Sequence, residues 1–189
     1  FDVVLGAVFT LLLLPFMALL ALAIKLDSPG PVIYRQRRVG KDEFQFTMFK
    51  FRTMSDGAHT KRTHLATLNE SDGLFKITDD PRITRVGRVL RKTSLDELPQ
   101  LFNVLLGSMS LVGPRPLVPE EDVLLSGWAR FRYSVLPGMT GPWQLGSAAR
   151  FSITDMASLD YLYVTNWSLW GDVKMLIRTG VYVLGLHGR

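Results

Sequence analysis

A helix-dominated α+β fold built on a membrane anchor is predicted by three observations. Val3 to Ile24 is a run of 22 residues without a charged side chain. Two segments of strand-like alternation, Val32–Val39 and Phe44–Met54, flank a turn at Gly40-Lys-Asp42. Apolar residues then return at helical spacing, first as Leu98, Leu101, Phe102, Leu105, Leu106 and Met109, and again between Trp167 and Leu184. The chain of 189 residues divides into an anchor over 1–26 and a single domain over 27–189.

Composition narrows the chemistry. With 22 Lys+Arg against 17 Asp+Glu, the formal charge of +5 points to a polyanionic partner: nucleic acid, anionic lipid or a phosphorylated substrate. The absence of cysteine excludes a disulfide framework, a thiolate nucleophile and every cysteine-bearing zinc or iron–sulfur site. His59, His64 and His187 are the only imidazoles, and their scatter gives little basis for a histidine-ligated metal or a Ser-His-Asp triad.

The anchor reaches about 33 Å as one helix, enough for a hydrocarbon layer of about 30 Å. Pro15 interrupts it, because proline lacks an N–H and its ring crowds the carbonyl of Leu11. Two geometries fit: a kinked spanning helix, or two arms of about 18 and 15 Å that enter and leave on one face. Arg35, Arg37, Arg38, Lys41, Lys50 and Arg52 follow closely, as expected of a cytoplasmic flank. Asp27-Ser-Pro-Gly-Pro31 ends the helical pattern.

In the second strand, alternation puts Lys50 and Arg52 on one face and Phe49 and Phe51 on the other. That basic face suits a polyanion, or is simply a solvated edge strand. Ser55–Asp72 is polar and aperiodic and reads as a loop or marginal helix. Beyond it Arg82, Arg85, Arg88 and Arg91 recur at three-residue steps, which on a helix makes neighbours of them.

Asp96 and Glu97 stand between this basic run and an apolar helix expected to begin near Pro99. Ser94-x-x-Glu97 matches a capping box, which is one account of the acidic pair. The other account is chemical. A carboxylate with an ordinary pKa near 3.9 is ionised at neutral pH and attacks phosphorus without a general base. Its neighbour can hold Mg²⁺, a hard cation that prefers oxygen, while arginines offset charge on the transferring phosphoryl group. Arg115 projects from the stiff Leu111-Val-Gly-Pro-Arg-Pro-Leu117 segment, between two prolines.

Lys50-Phe-Arg-Thr-Met54, Thr78-Asp-Asp-Pro-Arg82, Arg91-Lys-Thr-Ser-Leu-Asp-Glu-Leu-Pro-Gln100 and Val112-Gly-Pro-Arg-Pro116 together resemble the ordered motifs of the bacterial sugar transferases. These are the monotopic phosphoglycosyl transferases. The resemblance implies that Asp96 attacks the β-phosphate of a UDP-sugar, releases UMP and carries the phosphosugar until polyprenol phosphate accepts it. It implies that Glu97 holds Mg²⁺ and that Arg91 and Arg115 contact phosphate or nucleotide. Lys50 and Arg52 fall in a motif near the site, and Arg88 of the basic run completes the candidate substrate-binding set. It further implies a Pro-broken re-entrant helix with both ends on the cytoplasmic face of the bacterial inner membrane.

Pro137-Gly-Met-Thr-Gly-Pro-Trp-Gln144 and Tyr163-Val-Thr-Asn-Trp-Ser-Leu-Trp-Gly-Asp-Val-Lys174 resemble the extended members that transfer glucose 1-phosphate or galactose 1-phosphate. In those members further membrane helices often precede the catalytic domain. A departure follows Gln144: Leu145-Gly-Ser-Ala-Ala-Arg150 stands where the family commonly runs into Ser-Gly-Arg. The last helix carries Trp170, Val173, Ile177, Val181 and Leu184 near one side and Lys174 and Arg178 on another, which suits a headgroup layer as well as a core. The expected partners are a UDP-sugar, polyprenol phosphate and the bilayer, without nucleic acid, and homodimerisation is left open. The competing expectation is a non-enzymatic anchored module that binds anionic lipid or nucleic acid. Such a module gives no reason for two carboxylates inside a cationic patch.

Overall fold

The computed structural model describes residues 1–58, 80–142 and 152–185. His59, His64, His187, Thr78-Asp79 and the 145–150 segment with Arg150 lie outside the described residues.

Helix α1, Asp2–Asp27, runs through Pro15 without a break in helical assignment. At 1.5 Å per residue it is about 39 Å long. Gly6, Thr10, Met17 and Ile24 are its buried residues, and Leu13 and Leu20 pack partly buried between them. These six positions step by four and three along the chain, so they form one stripe down a single side. The remaining apolar residues, from Val3 to Leu26, stay largely exposed. Gly6 matters because a Cβ there would sit 3.1 Å from Val104 Cγ1.

Both ends of α1 are tied to the same body. At its start, Asp2 Oδ1 accepts the Leu111 amide at 3.4 Å. At its finish, Asp27 Oδ2 accepts the Val86 amide at 3.1 Å. Arg52 then clamps the exit by donating to the carbonyls of Ser28 and Pro29 and to Ser28 Oγ. The guanidinium lies where a side chain on Gly30 would fall, a residue with φ +113°.

Strands β1, Ile33–Val39, and β2, Gln45–Phe51, form the expected antiparallel hairpin, with Tyr34 opposite Lys50 and Arg38 opposite Phe46. Asp42 and Glu43 take left-handed backbone angles in the turn, and Arg130 holds the Glu43 carboxylate at 2.8 Å. Helix α2, Arg85–Lys92, is capped by Thr84, whose side chain accepts the Gly87 amide. Arg82 is not part of it. It lies ahead of the helix in a buried ion pair with Asp80 at 2.6 Å, which holds the Asp80 carboxyl below the usual range. The continuous basic helix expected from the three-residue spacing is thus shorter by one turn.

A 3-10 turn over Leu95–Glu97 leads into α3, Gln100–Leu105. The capping box does not form: Ser94 has φ 56° and makes no side-chain cap bond. Helix α3 starts next to Pro99 as expected, but lasts only 6 residues. Its buried face is Leu101, Asn103 and Val104, packed toward α1, whereas Leu106 is exposed. Asn103 spends its amide on the edge of β2, donating to Thr47 O at 2.7 Å and accepting from the Phe49 amide at 3.0 Å.

Strand β3, Ser110–Val112, pairs in parallel with β4, Gly138–Thr140. Between them lie a one-turn helix α4, Pro119–Asp122, and successive 3-10 turns over Gly127–Ser134. Helix α5, Ile153–Thr165, opens with a Ser152/Asp155 capping box, and α6, Leu169–Leu184, opens on Ser168. Three apolar clusters hold the elements together. One joins β2, α3 and β3 to Tyr163; a second joins Leu117, Leu125 and Ala129 to Met156 and Ala157; a third joins Met17 and Ile24 to Phe51 and Leu90. Each fully buried aliphatic side chain contributes about 1.5–3 kcal/mol.

Candidate active site

A cleft of about 990 Å³ opens between the hairpin, the α2–α3 junction, the Pro114-Arg-Pro116 loop and the β4–α6 side. Lys50, Arg52, Arg91, Asp96, Glu97 and Arg115 all line it. Residues scattered over 66 positions of sequence are thus brought to one surface. Arg88 is exposed on α2 and is not among the lining residues.

The centre is built from backbone constraints. Gly87 brings α2 against the strand exit, since a Cβ there would lie 2.0 Å from Thr53 O. That close approach lets Arg91 Nε donate to Thr53 Oγ1 at 2.9 Å. Asn103 fixes the opposite edge of β2, one residue from Lys50. Lys50 Nζ in turn meets Glu97 Oε1 at 2.6 Å. Glu97 therefore faces the hairpin rather than capping its own helix.

Burial pushes the Asp96 carboxyl up to about 6. Lys50 pulls it down, the neighbouring Glu97 pushes it up, and Arg91 pulls it down again. The shift is upward from the ordinary carboxylate value near 3.9. A three-residue turn also lacks the aligned peptides needed for a helix dipole to favour the charge. Asp96 still ionises below neutral pH, in a drier setting that removes part of its hydration.

Mg²⁺ usually takes one or two carboxylates and completes its shell with water and substrate phosphate oxygens. Among the described residues, groups of three or more His, Asp or Glu suited to a metal are absent. Glu97 beside Asp96 meets the smaller requirement, with a side chain 31% exposed toward the cleft region. The donor chemistry fits Mg²⁺ shared with a substrate and does not fit a metal caged by protein alone.

Arg52, expected near the site from its motif, lines the cleft and also braces the exit of α1. Its bonds go to the carbonyls of Ser28 and Pro29, just beyond α1. Thr53 and Asn103 were not singled out from sequence. Thr53 sits in the Lys50–Met54 motif, so a signal was present. Asn103 lies in an apolar run, where a lone amide is a cue for buried hydrogen bonding.

The model of the family described as bacterial sugar transferase matches residues 1–185. The UDP-galactose-lipid carrier transferase of Erwinia amylovora is 42% identical over 193 aligned residues, covering 100% of this chain and 40% of that protein. The undecaprenyl-phosphate galactose phosphotransferase of Salmonella typhimurium is 40% identical, with the same 100% and 40% coverage. The exopolysaccharide production protein ExoY of Rhizobium meliloti is 39% identical over 95% of this chain and 81% of its own length. The chain spans about 40% of the longer relatives it matches. With the family match running from α1 through α6 and this degree of identity sustained across it, the chain belongs to the bacterial sugar transferase family.

Proposed function

We propose that the chain transfers a sugar 1-phosphate, glucose or galactose, from a UDP-sugar to polyprenol phosphate in two steps at Asp96. In the first, an Asp96 oxygen forms a bond to the β-phosphorus, the bond from that phosphorus to the bridging oxygen breaks, and UMP leaves with the electron pair. In the second, an oxygen of polyprenol phosphate forms the new bond to phosphorus, and the aspartyl–phosphorus bond breaks to restore the carboxylate. The product is a polyprenyl diphosphosugar that starts a surface polysaccharide. The relatives support the donor and acceptor: their names specify galactose transfer on undecaprenyl phosphate and UDP-glucose:undecaprenyl-phosphate glucose-1-phosphate transfer.

The observation that carries the reading is the half-dry Asp96 beside Lys50, Glu97 and Arg91 in a cleft that Arg115 also lines. Partial desolvation strips water from the nucleophile, while the cations remain to receive phosphate charge. Glu97 would hold Mg²⁺, which when bound offsets charge on the diphosphate. Lys50 is then drawn from Glu97 toward phosphate, and Arg91 and Arg115 orient the diphosphate for in-line displacement. A plain polyanion binder has no use for these carboxylates.

The exposed apolar side of α1, Trp167 just ahead of α6, and the exposed Trp170, Ile177 and Val181 of α6 support a site at the membrane surface, with α6 lying in the headgroup layer. The fastening of both ends of α1 to one body supports re-entry over spanning. A lipid-borne acceptor and a soluble nucleotide sugar meet only at that boundary, on the cytoplasmic face where UDP-sugars are found.

The test is intact-protein mass spectrometry after incubation with UDP-glucose or UDP-galactose and Mg²⁺, without acceptor. A hexose-phosphate adduct on Asp96, lost in Asp96→Asn, is the expected result. An adduct elsewhere, or wild-type UMP release by Asp96→Asn, overturns the assignment.

A further inference from the structure

Four successive carbonyls of the loop that carries Arg115 are each taken up by a different donor. Pro114 O accepts the Gly138 amide at 2.9 Å, and Leu117 O accepts the Val39 amide at 2.9 Å. Pro116 O accepts Arg38 Nη1 at 3.0 Å. The carbonyl of Arg115 itself accepts Arg132 Nη2. Beneath the loop, lined in part by Pro114, Arg115, Arg132 and Tyr133, is a cavity of about 10 Å³, room for about one water.

Arg132 is held in turn by Asp160 of α5, whose Oδ2 lies 3.0 Å from the same Nη2, and both side chains are 1% exposed. The Arg132 Nη1 contacts Met156 Sδ at 4.0 Å, within an apolar neighbourhood. Neither Asp160 oxygen accepts a well-aligned hydrogen bond from a described residue. Burial pushes the Asp160 carboxyl up to about 6, against the pull of Arg132, so the carboxylate prevails at neutral pH. An ion pair at this depth, short of hydrogen bonds, is a poor means of stabilising a fold, and apolar residues of the same volume generally do as well or better. Its place therefore asks for another reason.

We propose that Arg132 and Asp160 are positioning residues for Arg115: Asp160 orients the Arg132 guanidinium, and its bond to the Arg115 carbonyl fixes the direction in which Arg115 enters the cleft. The prolines at 114 and 116 restrict the backbone on either side. Holding the carbonyl between them removes the remaining rotation and sets the Cα–Cβ direction. The inference rests on the reading of Arg115 as a group that contacts the donor's diphosphate.

The experiment compares the full chain with Arg115→Gln, Asp160→Asn, Arg132→Lys and the double variant Arg132→Met/Asp160→Leu. Each is measured for thermal midpoint, for kcat and KM with UDP-glucose and UDP-galactose, and for the rate of adduct formation. The double variant is expected to keep or raise its thermal midpoint while KM rises at least tenfold, and Arg132→Lys to recover part of that loss. A folded double variant with KM and adduct rate within twofold of wild type, alongside an impaired Arg115→Gln, overturns the positioning role and leaves the Arg115 reading intact. Wild-type kinetics in Arg115→Gln overturns the Arg115 reading, and the inference with it. If the double variant fails to fold, Asp160→Asn, which keeps the side-chain volume, decides by the same KM criterion.

Discussion

The nucleophilic role proposed for Asp96 sets two expectations at the scale of the residue. Because burial raises its pKa to about 6, ionised nucleophile is lost as pH falls through that value. Adduct formation should then drop tenfold per pH unit below about 6 and level off above it, measured by quenched-flow labelling with UDP-galactose. Replacing Lys50 with Met removes a cation that pulls this carboxyl down, so the acid limb should move to higher pH, in addition to any loss of rate. The same shift bears on stability. A carboxyl raised above its unfolded value favours the fold most below the unfolded pKa, near 3.9, and that contribution is lost as pH rises through about 6. At pH 7.5 the ionised side chain therefore costs stability, up to about 3 kcal/mol. Asp96→Asn should melt higher than wild type in detergent while forming no adduct, and a lower midpoint would show that the carboxylate is stabilised by contacts stronger than its desolvation.

Elements record how far the sequence was readable. The hairpin was plain, since alternation and Gly40 are local signals, and its observed strands differ from expectation by at most three residues at the ends. The acidic pair was located, yet Ser94-x-x-Glu97 matched a capping motif in a place where the chain turns left-handed and Lys50 takes the carboxylate. A motif fixes residue types but not the partner that competes for them. The stripe Gly6, Thr10, Leu13, Met17, Leu20, Ile24 could not be seen because the whole run is apolar, so no polar face outlines it. The Arg132–Asp160 pair was invisible for another reason, being separated by 28 positions and joined only by tertiary packing. Gly87 was equally silent, but its contact with Thr53 O makes a firm prediction. Gly87→Ala must push α2 from the strand exit, costing about 1–3 kcal/mol as overpacking does, and should weaken the Arg91–Thr53 bond. Chemical denaturation together with a KM measurement checks both. A stable Gly87→Ala enzyme with unchanged KM would mean that α2 adjusts freely.

At the scale of the whole molecule, α1 and the candidate site are one construction. The stripe on α1 supplies Met17 and Ile24 to the same cluster as Phe51 and Leu90, next to Lys50 and Arg91 in sequence. Asp2 reaches β3, and Asp27 reaches the first turn of α2. A helix crossing the bilayer would carry one of these contacts to the far side, away from the body that makes the other. In the re-entrant arrangement proposed above, the bilayer would meet the exposed side of α1, and Pro15 removes one backbone bond near its middle, just over one turn beyond Thr10, whose Oγ1 donates to Gly6 O at 2.7 Å. The absence of cysteine allows a direct measurement. Phe1→Cys and Leu26→Cys, both at exposed positions near opposite ends of α1, are each expressed in cells and treated with a membrane-impermeant maleimide. The expectation is that both thiols react in inverted membrane vesicles and neither reacts in right-side-out spheroplasts. Labelling of the two thiols from opposite sides would establish a spanning helix, and the ties at Asp2 and Asp27 could not then coexist in the membrane. Pro15→Leu adds a second arm: restoring the missing backbone bond should favour a straight helix, shifting part of the Phe1→Cys population to the opposite side and lowering activity by the same fraction.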